Sequence, residues 1–350
     1  MSEPTVSVII CCYTEERLKD IHEAVESVLA QTLRPHDVII AVDHNKQLYE
    51  ILKSHYLASQ RTQQTLSTPQ TKIVLNEGAR GLSETRNVGI RASRGDIVAF
   101  IDDDAIAEKD WLENLIRPFH LTQQTQKTQI TQETVVAVGG RAIPIWPNDT
   151  RPFWFPEELD WIVGCTYKGL PVTTLNPEPR TLNLELQTIR NVHGCNMAFR
   201  EDVFEKAGLF RSETGRIGAT TGCGEEADIC LRISYAMPDA RIVYEDQATI
   251  HHKVAPRRTT WRYLWQRSYN EGLYKVKVQR LHQPPQQALP TRQAQKTLST
   301  EDSYLRYLLF KSIPARLARF YHRESLPQTV AIILCIAATG VGYLVGRIKC

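Results

Sequence analysis

The sequence predicts an α/β protein: an open, mostly parallel sheet, followed by a C-terminal amphipathic segment and a membrane helix. Three observations predict it. Short β-branched runs alternate with helical patterns through the first half, acidic residues stand where those runs stop, and an uncharged stretch lies close to the C-terminus. VSVII (6–10) and DVIIAV (37–42) are the first two strands, and Leu18, Ile21, Val25, Val28 and Leu29 between them recur at helical spacing. KIVL (72–75), a helical stretch over about 83–92 and DIVAFI (96–101) repeat the unit, and the last strand runs straight into Asp102, Asp103 and Asp104. Open sheets of this kind bind ligands beyond the carboxyl ends of their strands, where Asp43 and the triple aspartate both fall.

Composition narrows the function classes. With 350 residues the chain can bury a large core without staples, and a net charge of +3 with dispersed basic residues argues against nucleic acid as the partner. The eight cysteines contain no Cys-x-x-Cys pair and read as reduced, mostly buried thiols of a cytosolic domain. The opening MSEPTVSVIICCY has no basic n-region and is expected to be a strand, not a secretory signal. Gln- and Thr-rich stretches at about 58–71, 121–133 and 283–300 are expected to be solvated insertions, the last being the boundary of the globular part.

Chemistry concentrates in three clusters. Adjacent carboxylates repel one another, so Asp102, Asp103 and Asp104 at the end of a buried strand call for a cation, and a divalent metal, Mn or Mg, is the expected remedy. The calcium-loop spacing is absent. A second acidic cluster, GCGEEADICLRI (222–233), opens a helix on which Glu226, Cys230 and Ile233 share a face, so Glu226 is expected to point into a cleft, ionised and able to serve as a general base. The third element is His251 and His252 at the end of a strand-like run. Either could complete a metal site with the aspartates, and His252 is preferred because His251 belongs to the preceding apolar run. Arg257, Arg258, Trp261, Arg262, Arg267 and Glu271 follow in a helical pattern and offer guanidinium groups to a diphosphate or a lipid phosphate. Trp154 and Trp161, set among acids in RPFWFPEELDWIVGCTYKGLP (151–171), suit either sugar stacking or core packing.

In their order these motifs resemble glycosyltransferase family 2, over roughly residues 5–275. VSVIICCYTEE looks like the family's opening strand and loop, AVDHN like its second strand, GLSETRNVGIRASRGDIVAFIDDDA like its central signature, GCNMAFRED like its acceptor-side segment, and GEEAD like its Glu-Asp motif. The resemblance implies a nucleotide-sugar-binding fold of the GT-A type. Tyr13, Glu15, Asp43, Arg86, Asp102 and Asp103 would then surround the donor, and Asp104 would hold the metal. Gly194, Cys195 and Asn196 would lie near the donor sugar. Glu226 stands where the family's base is usually Asp, which leaves Glu225 and Asp228 as alternatives. The implied reaction is inverting transfer from a nucleoside diphosphate sugar to a hydroxyl of a glycan or lipid-linked acceptor. A nucleotidyltransferase would need a Gly-rich phosphate loop near its start, and none is visible in 6–20. A non-catalytic nucleotide-sugar-binding scaffold is the other alternative.

At the C-terminus TVAIILCIAATGVGYLVG (329–346) is uncharged and about long enough to cross ~30 Å of hydrocarbon. Upstream, Lys311, Arg316, Arg319 and Arg323 interleave with Leu308, Leu309, Phe310, Ile313, Leu317 and Phe320, as expected of a basic amphipathic segment on an anionic leaflet. The expected organisation is a catalytic domain over 1–280, a polar linker over 281–303, a membrane-surface segment over 304–326 and a transmembrane helix over 327–348. The catalytic domain is expected to face the cytoplasm. One span is too little for a polysaccharide channel, so export or assembly would need partners.

Overall fold

A computed structural model describes residues 4–62, 69–127, 134–175, 186–217, 222, 224–282 and 302–349. The predicted βαβ units are present as β1 (Val6–Cys12), α1 (Leu18–Leu29), β2 (Asp37–Asp43), α2 (Lys46–Thr62), β3 (Gln70–Asn76), α3 (Leu82–Ala92) and β4 (Ile97–Asp102). Strands β3, β2, β1 and β4 lie side by side in parallel register. Strands β2, β1 and β4 are buried on both faces, which is why they read as continuous apolar runs. Val8 and Ile10 of β1 pack with Ile21, Val25 and Val28 of α1, while Ile9 faces a second core with Phe100, Phe199 and Ile229.

Beyond β4 the sheet becomes mixed. After a turn at Asp103 and Asp104 come β5 (Ala105–Ala107), α4 (Trp111–Lys127), β6 (Thr134–Ile145), β7 (Thr173–Leu175), β8 (Leu186–Thr188), β9 (Asn196–Arg200), α5 (Asp202–Lys206), α6 (Glu225–Ala236) and β10 (Ala240–Lys253). The order is β3-β2-β1-β4-β9-β6-β10-β8-β7, with β5 paired to β10. The short strands pair antiparallel, whereas most paired residues lie in the parallel ladders, including the long one between β6 and β10. The expected open, mostly parallel sheet is therefore present. Two expected insertions are partly helical instead: α2 continues to Thr62 and α4 to Lys127. Gln and Thr carry little apolar signal, yet they extend a helix that an amphipathic stretch has already started. The stretch at 283–300 lies outside the described residues.

Among the described residues three helices close the chain: α7 (Trp261–Leu281), α8 (302–317), which passes through a π-helical turn at Leu308–Ser312, and α9 (Ser325–Lys349). α9 is held against α7 at a glycine crossing. A Cβ on Gly272 would strike the backbone of Thr339 and Tyr343, and one on Gly342 would strike the Tyr269 backbone. Only residues without side chains let the two backbones approach so closely. α8 is turned onto the domain differently from expectation. Leu308 is buried, and Arg316 reaches Glu158 at 2.7 Å while Ser312 donates to the same carboxylate at 2.9 Å. These two residues are drawn inward because Glu158 is itself buried and needs a cation.

Burial works to raise the Glu158 carboxyl, but the Arg316 and Ser312 hydrogen bonds outweigh it and hold it below its ordinary value of 4.5. A depressed carboxylate contributes stability that is complete above its unfolded value and is lost as pH falls through its folded one. Lowering the pH below the ordinary carboxylate range is therefore expected to release α8, read as faster proteolysis or amide exchange over 302–317, while β1 to β4 stay protected. Glu158→Gln should show the same release already at neutral pH; equal protection in both proteins at all pH values would refute it.

Candidate active site

The acidic turn is assembled by the sheet. β4 delivers Asp102, the chain turns through Asp103 and Asp104, and β5 then crosses to pair with the end of β10, placing Ala105 opposite His252. The Lys253 N–H donates to the Asp104 carbonyl at 2.8 Å and pins the turn to β10. Successive strand residues point to opposite faces, so the two histidines part company. His252 is buried with Nε2 at 3.2 Å from Asp104 and 3.7 Å from Asp102. His251 faces the other side, against Glu108 at 3.0 Å, so it is not part of the cluster.

One ligand atom each from Asp102, Asp104 and His252 lies within 4.8 Å of the other two. Two carboxylate oxygens and an imidazole nitrogen are a donor set that suits a manganese- or magnesium-like ion. The charge balance points the same way. Burial pushes the Asp103 carboxyl up to about 7 against the pull of Arg17, and its Oδ2 is buried without a hydrogen-bond partner. Burial also works to raise Asp104, but His252 and Arg17 hold it well below the carboxylate range. His252 in turn is raised well above its ordinary value by the two aspartates, although burial opposes this. His252 thus stands beside the two aspartates where the charge of a divalent cation would balance them. Arg17, at 2.6 Å from Asp103 and 3.1 Å from Asp104, was not among the predicted site residues. The legible signal was the need for a cation beside three carboxylates, and the TEER turn that follows β1 supplies it.

The residues expected at the donor stand as follows. Asp43, at the end of β2, accepts hydrogen bonds from Asn76 Nδ2 at 2.9 Å and from the Gly81 N–H at 3.1 Å, so it shapes the turn that enters α3. Asn45 Nδ2 ties the Tyr13 carbonyl and the Glu15 carboxylate together at 3.1 and 2.9 Å. Arg86, expected at the donor, is buried and turned elsewhere. Its guanidinium reaches Glu225 at 3.4 Å, Glu226 at 3.3 Å and the Gly194 carbonyl at 3.2 Å, with the Phe210 ring 5.3 Å away.

The second acidic cluster separates into three roles. Glu225 is buried, and burial and Glu226 push its carboxyl up to about 7 against Arg86. Asp228 is fully buried and spent on Arg211, Arg232 and His282 at 3.2, 2.8 and 2.8 Å, so it cannot reach an acceptor. Glu226 lines a cavity of about 530 Å³. Its carboxylate rests on Gly194: a Cβ there would collide with Glu226 Oε1 and with Arg86 Nη2. Arg190, Arg267 and Lys275 line that cavity with Glu271 and Asp302, and so do Leu305, Leu308 and Ile336 from α8 and α9.

Other expected ligand contacts are structural. Asn196 is fully buried, accepting from Trp111 Nε1 at 2.8 Å and donating to the carbonyls of Arg141 and Ala248 at 2.9 and 2.8 Å. Every polar group of its amide is engaged, leaving nothing for a sugar. Cys195 donates to the Gly164 carbonyl at 3.1 Å, and burial raises its thiol far above the ordinary value. Trp154 stacks on Trp261 at 4.1 Å and fastens the 146–163 segment to α7, so its role is packing. Trp161 does line the cavity, under the Arg267 guanidinium at 5.4 Å.

Comparison with known proteins identifies the family. Residues 7–208 match the model of the family described as glycosyl transferase family 2. The chain is 32% identical over 344 residues to a glucosyl-dolichyl phosphate glucuronosyltransferase of Haloferax volcanii, covering 97% of this chain and 96% of that one. It is 30% identical over 117 residues to the putative glycosyltransferase EpsH of Bacillus subtilis, covering 33% and 31% of the two chains. Among solved structures, the mannosyltransferase PcManGT from Pyrobaculum calidifontis, in complex with GDP-Man and Mn2+, superposes with a TM-score of 0.57 at 16% identity, covering 98% of this chain and 88% of that one.

If the three-residue cluster is a metal site, Mn2+ titrated into the protein should bind at one site, followed by the loss of its free-ion paramagnetic resonance signal. Asp104→Ala and His252→Ala are expected to abolish that binding, whereas His251→Ala should retain it. Binding lost on removing His251, or kept without His252, would overturn the assignment.

Proposed function

Because the chain belongs to glycosyl transferase family 2, we propose that it transfers a sugar, with inversion, from a nucleoside diphosphate sugar to a hydroxyl of a lipid-phosphate-linked acceptor. The observation that carries this reading is the position of Glu226. It is the carboxylate of its cluster that lines the cavity, and basic residues and apolar residues both line that cavity. A sugar linked to a lipid through phosphate has that same mixed character. The Haloferax relative, named for a glucosyl-dolichyl phosphate substrate, supports the same class of acceptor.

In this reading Tyr13, Glu15 and Asp43 border the nucleotide, and Asp102, Asp104 and His252 would hold a divalent ion that, when bound, neutralises charge on the diphosphate leaving group. PcManGT, whose structure contains GDP-Man and Mn2+, supports a metal of that kind. Glu226 takes the proton of the acceptor hydroxyl as it attacks the anomeric carbon, and the sugar configuration inverts because the displacement is single and direct. Arg86 and Gly194 position that carboxylate: Arg86 by the ion pair, Gly194 by leaving the space it rests in. Glu225 shares Arg86 as the buried neighbour of Glu226. Arg190, Arg267 and Lys275 would face the acceptor phosphate.

The test is product analysis with the purified chain, a panel of nucleotide sugars that includes UDP-glucuronate, and a polyprenyl-phosphate glycoside as acceptor. An α-linked donor should yield a β-glycoside and free nucleoside diphosphate. Glu226→Gln is expected to lower turnover by about 10²- to 10⁴-fold with donor binding unchanged. Gly194→Ala should lose turnover too, since its methyl group takes the place of the Glu226 carboxylate. Retained anomeric configuration, or wild-type turnover in Glu226→Gln, would reject the mechanism.

A further inference from the structure

We propose that α8 and α9 form one membrane-contact face and that α9 lies along the bilayer surface instead of crossing it, so that the catalytic domain and the C-terminus stay on the same side. The occupant of this face is an anionic lipid surface. The inference goes beyond the catalytic reading and does not need it to be correct.

The first argument is what α9 is attached to. It runs parallel to α7 from Ser268, whose hydroxyl meets Cys335 at 3.3 Å, through the Gly272 and Gly342 crossing, to Arg280, which donates to the Arg347 carbonyl at 3.2 Å. α7 carries Arg267, Glu271, Lys275, Lys277 and Arg280 along that same length. A spanning α9 would either pull these charges into hydrocarbon, where each is costly, or strip itself from α7 and leave the close backbone crossing empty. Arg316 on Glu158 and Gln328 on the Phe153 carbonyl, at 3.2 Å, fix the approach to α9 to the domain as well.

The second argument is the surface left outside. Leu326, Val330, Ile333, Val341, Leu344 and Ile348 are each 43–84% exposed and recur at helical spacing down the face of α9 turned away from α7. Beside them, α8 and the following turns expose Leu309, Phe310, Leu317, Phe320 and Tyr321, with Phe310 at 75% and Tyr321 at 71%. An apolar surface this continuous is not left in water by a monomeric protein. Its charge selects the partner: from 303 to 323 the chain holds Arg306, Lys311, Arg316, Arg319 and Arg323 and no Asp or Glu. All of these but Arg316 are exposed. Bulky apolar groups between the exposed cations Arg306, Lys311, Arg319 and Arg323 match an anionic interface, with the apolar face sunk to the acyl boundary. The cavity that Glu226 lines is walled by Leu305, Leu308, Ile336 and Tyr343 of these same helices, so it stands beside this face.

Topology decides between lying and crossing. A protease-cleavable tag is added after Cys350 of the full chain, and inverted membrane vesicles with the catalytic domain outside are prepared from cells that make it. Cleavage of the tag from intact vesicles supports the surface placement; protection until detergent is added shows a span and overturns it. The surface itself is tested with the purified chain and vesicles of phosphatidylglycerol and phosphatidylcholine. Phe310→Glu with Phe320→Glu should weaken binding by about tenfold or more, with donor hydrolysis and thermal midpoint unchanged. Undiminished binding overturns the proposal, as does a purified dimer that these substitutions dissociate, since the occupant would then be a second copy. Failure of glycosyl transfer to any acceptor would leave tag accessibility untouched, so the two readings fail separately.

Discussion

The organising constraint of this molecule is the cost of burying carboxylates. Two acidic clusters sit at the carboxyl edge of a sheet whose strands are apolar on both faces, and neither could stay ionised there without a fixed cation. Arg17 and His252 answer the first cluster, and Arg86 answers the second. Much of the local architecture serves those pairings: the β5 crossing that sets Asp104 against His252, the buried α3 that brings Arg86 beneath α6, and the glycine at 194 that leaves Glu226 its place. Glu158 and Arg316 repeat the device at a distance from the site, using one buried ion pair to hold a peripheral helix.

The fold was legible because its signals are local. Val, Ile and Ala runs ending in Asp43 and Asp102 announce parallel strands and the edge at which they stop, and the Leu18 to Leu29 spacing announces the helix between them. The site was legible in part for the same reason. Asp102, Asp104 and His252 come together because they lie at or beside the ends of β4 and β10, and strand ends can be read. What could not be read is direction. Asn196 and Cys195 sit in a segment that resembles a ligand-binding one, but β9 turns the Asn196 amide into the sheet, where Trp111 and two carbonyls saturate it. Asp228 and Glu226 are two residues apart on one helix, and only the tertiary partners Arg211, Arg232 and His282 mark the former as structural.

Arg86 illustrates a different limit. Its place beside Asn87 in a recognisable motif suggests contact with a ligand, and its chemistry would suit a diphosphate. The structure places it under both glutamates, with Phe100 and Phe210 at the guanidinium faces. Its guanidinium holds the two acids in place. Long-range ion pairs of this sort join residues 139 and 140 positions apart, and no periodicity in a sequence reports them.

The crossing of α7 and α9 carries a consequence for how the domain is delimited. Arg267, Glu271 and Lys275 face the cavity from one side of α7, while Tyr343 and Ile336 of α9 complete it from the other. A fragment ending before Ser325 would keep every acidic and basic group of both clusters and still have a cavity open along one flank. Such a fragment would therefore lack a wall of the cavity as well as the apolar face of α9, and the terminal helix belongs to the architecture of the cavity as much as to its surroundings.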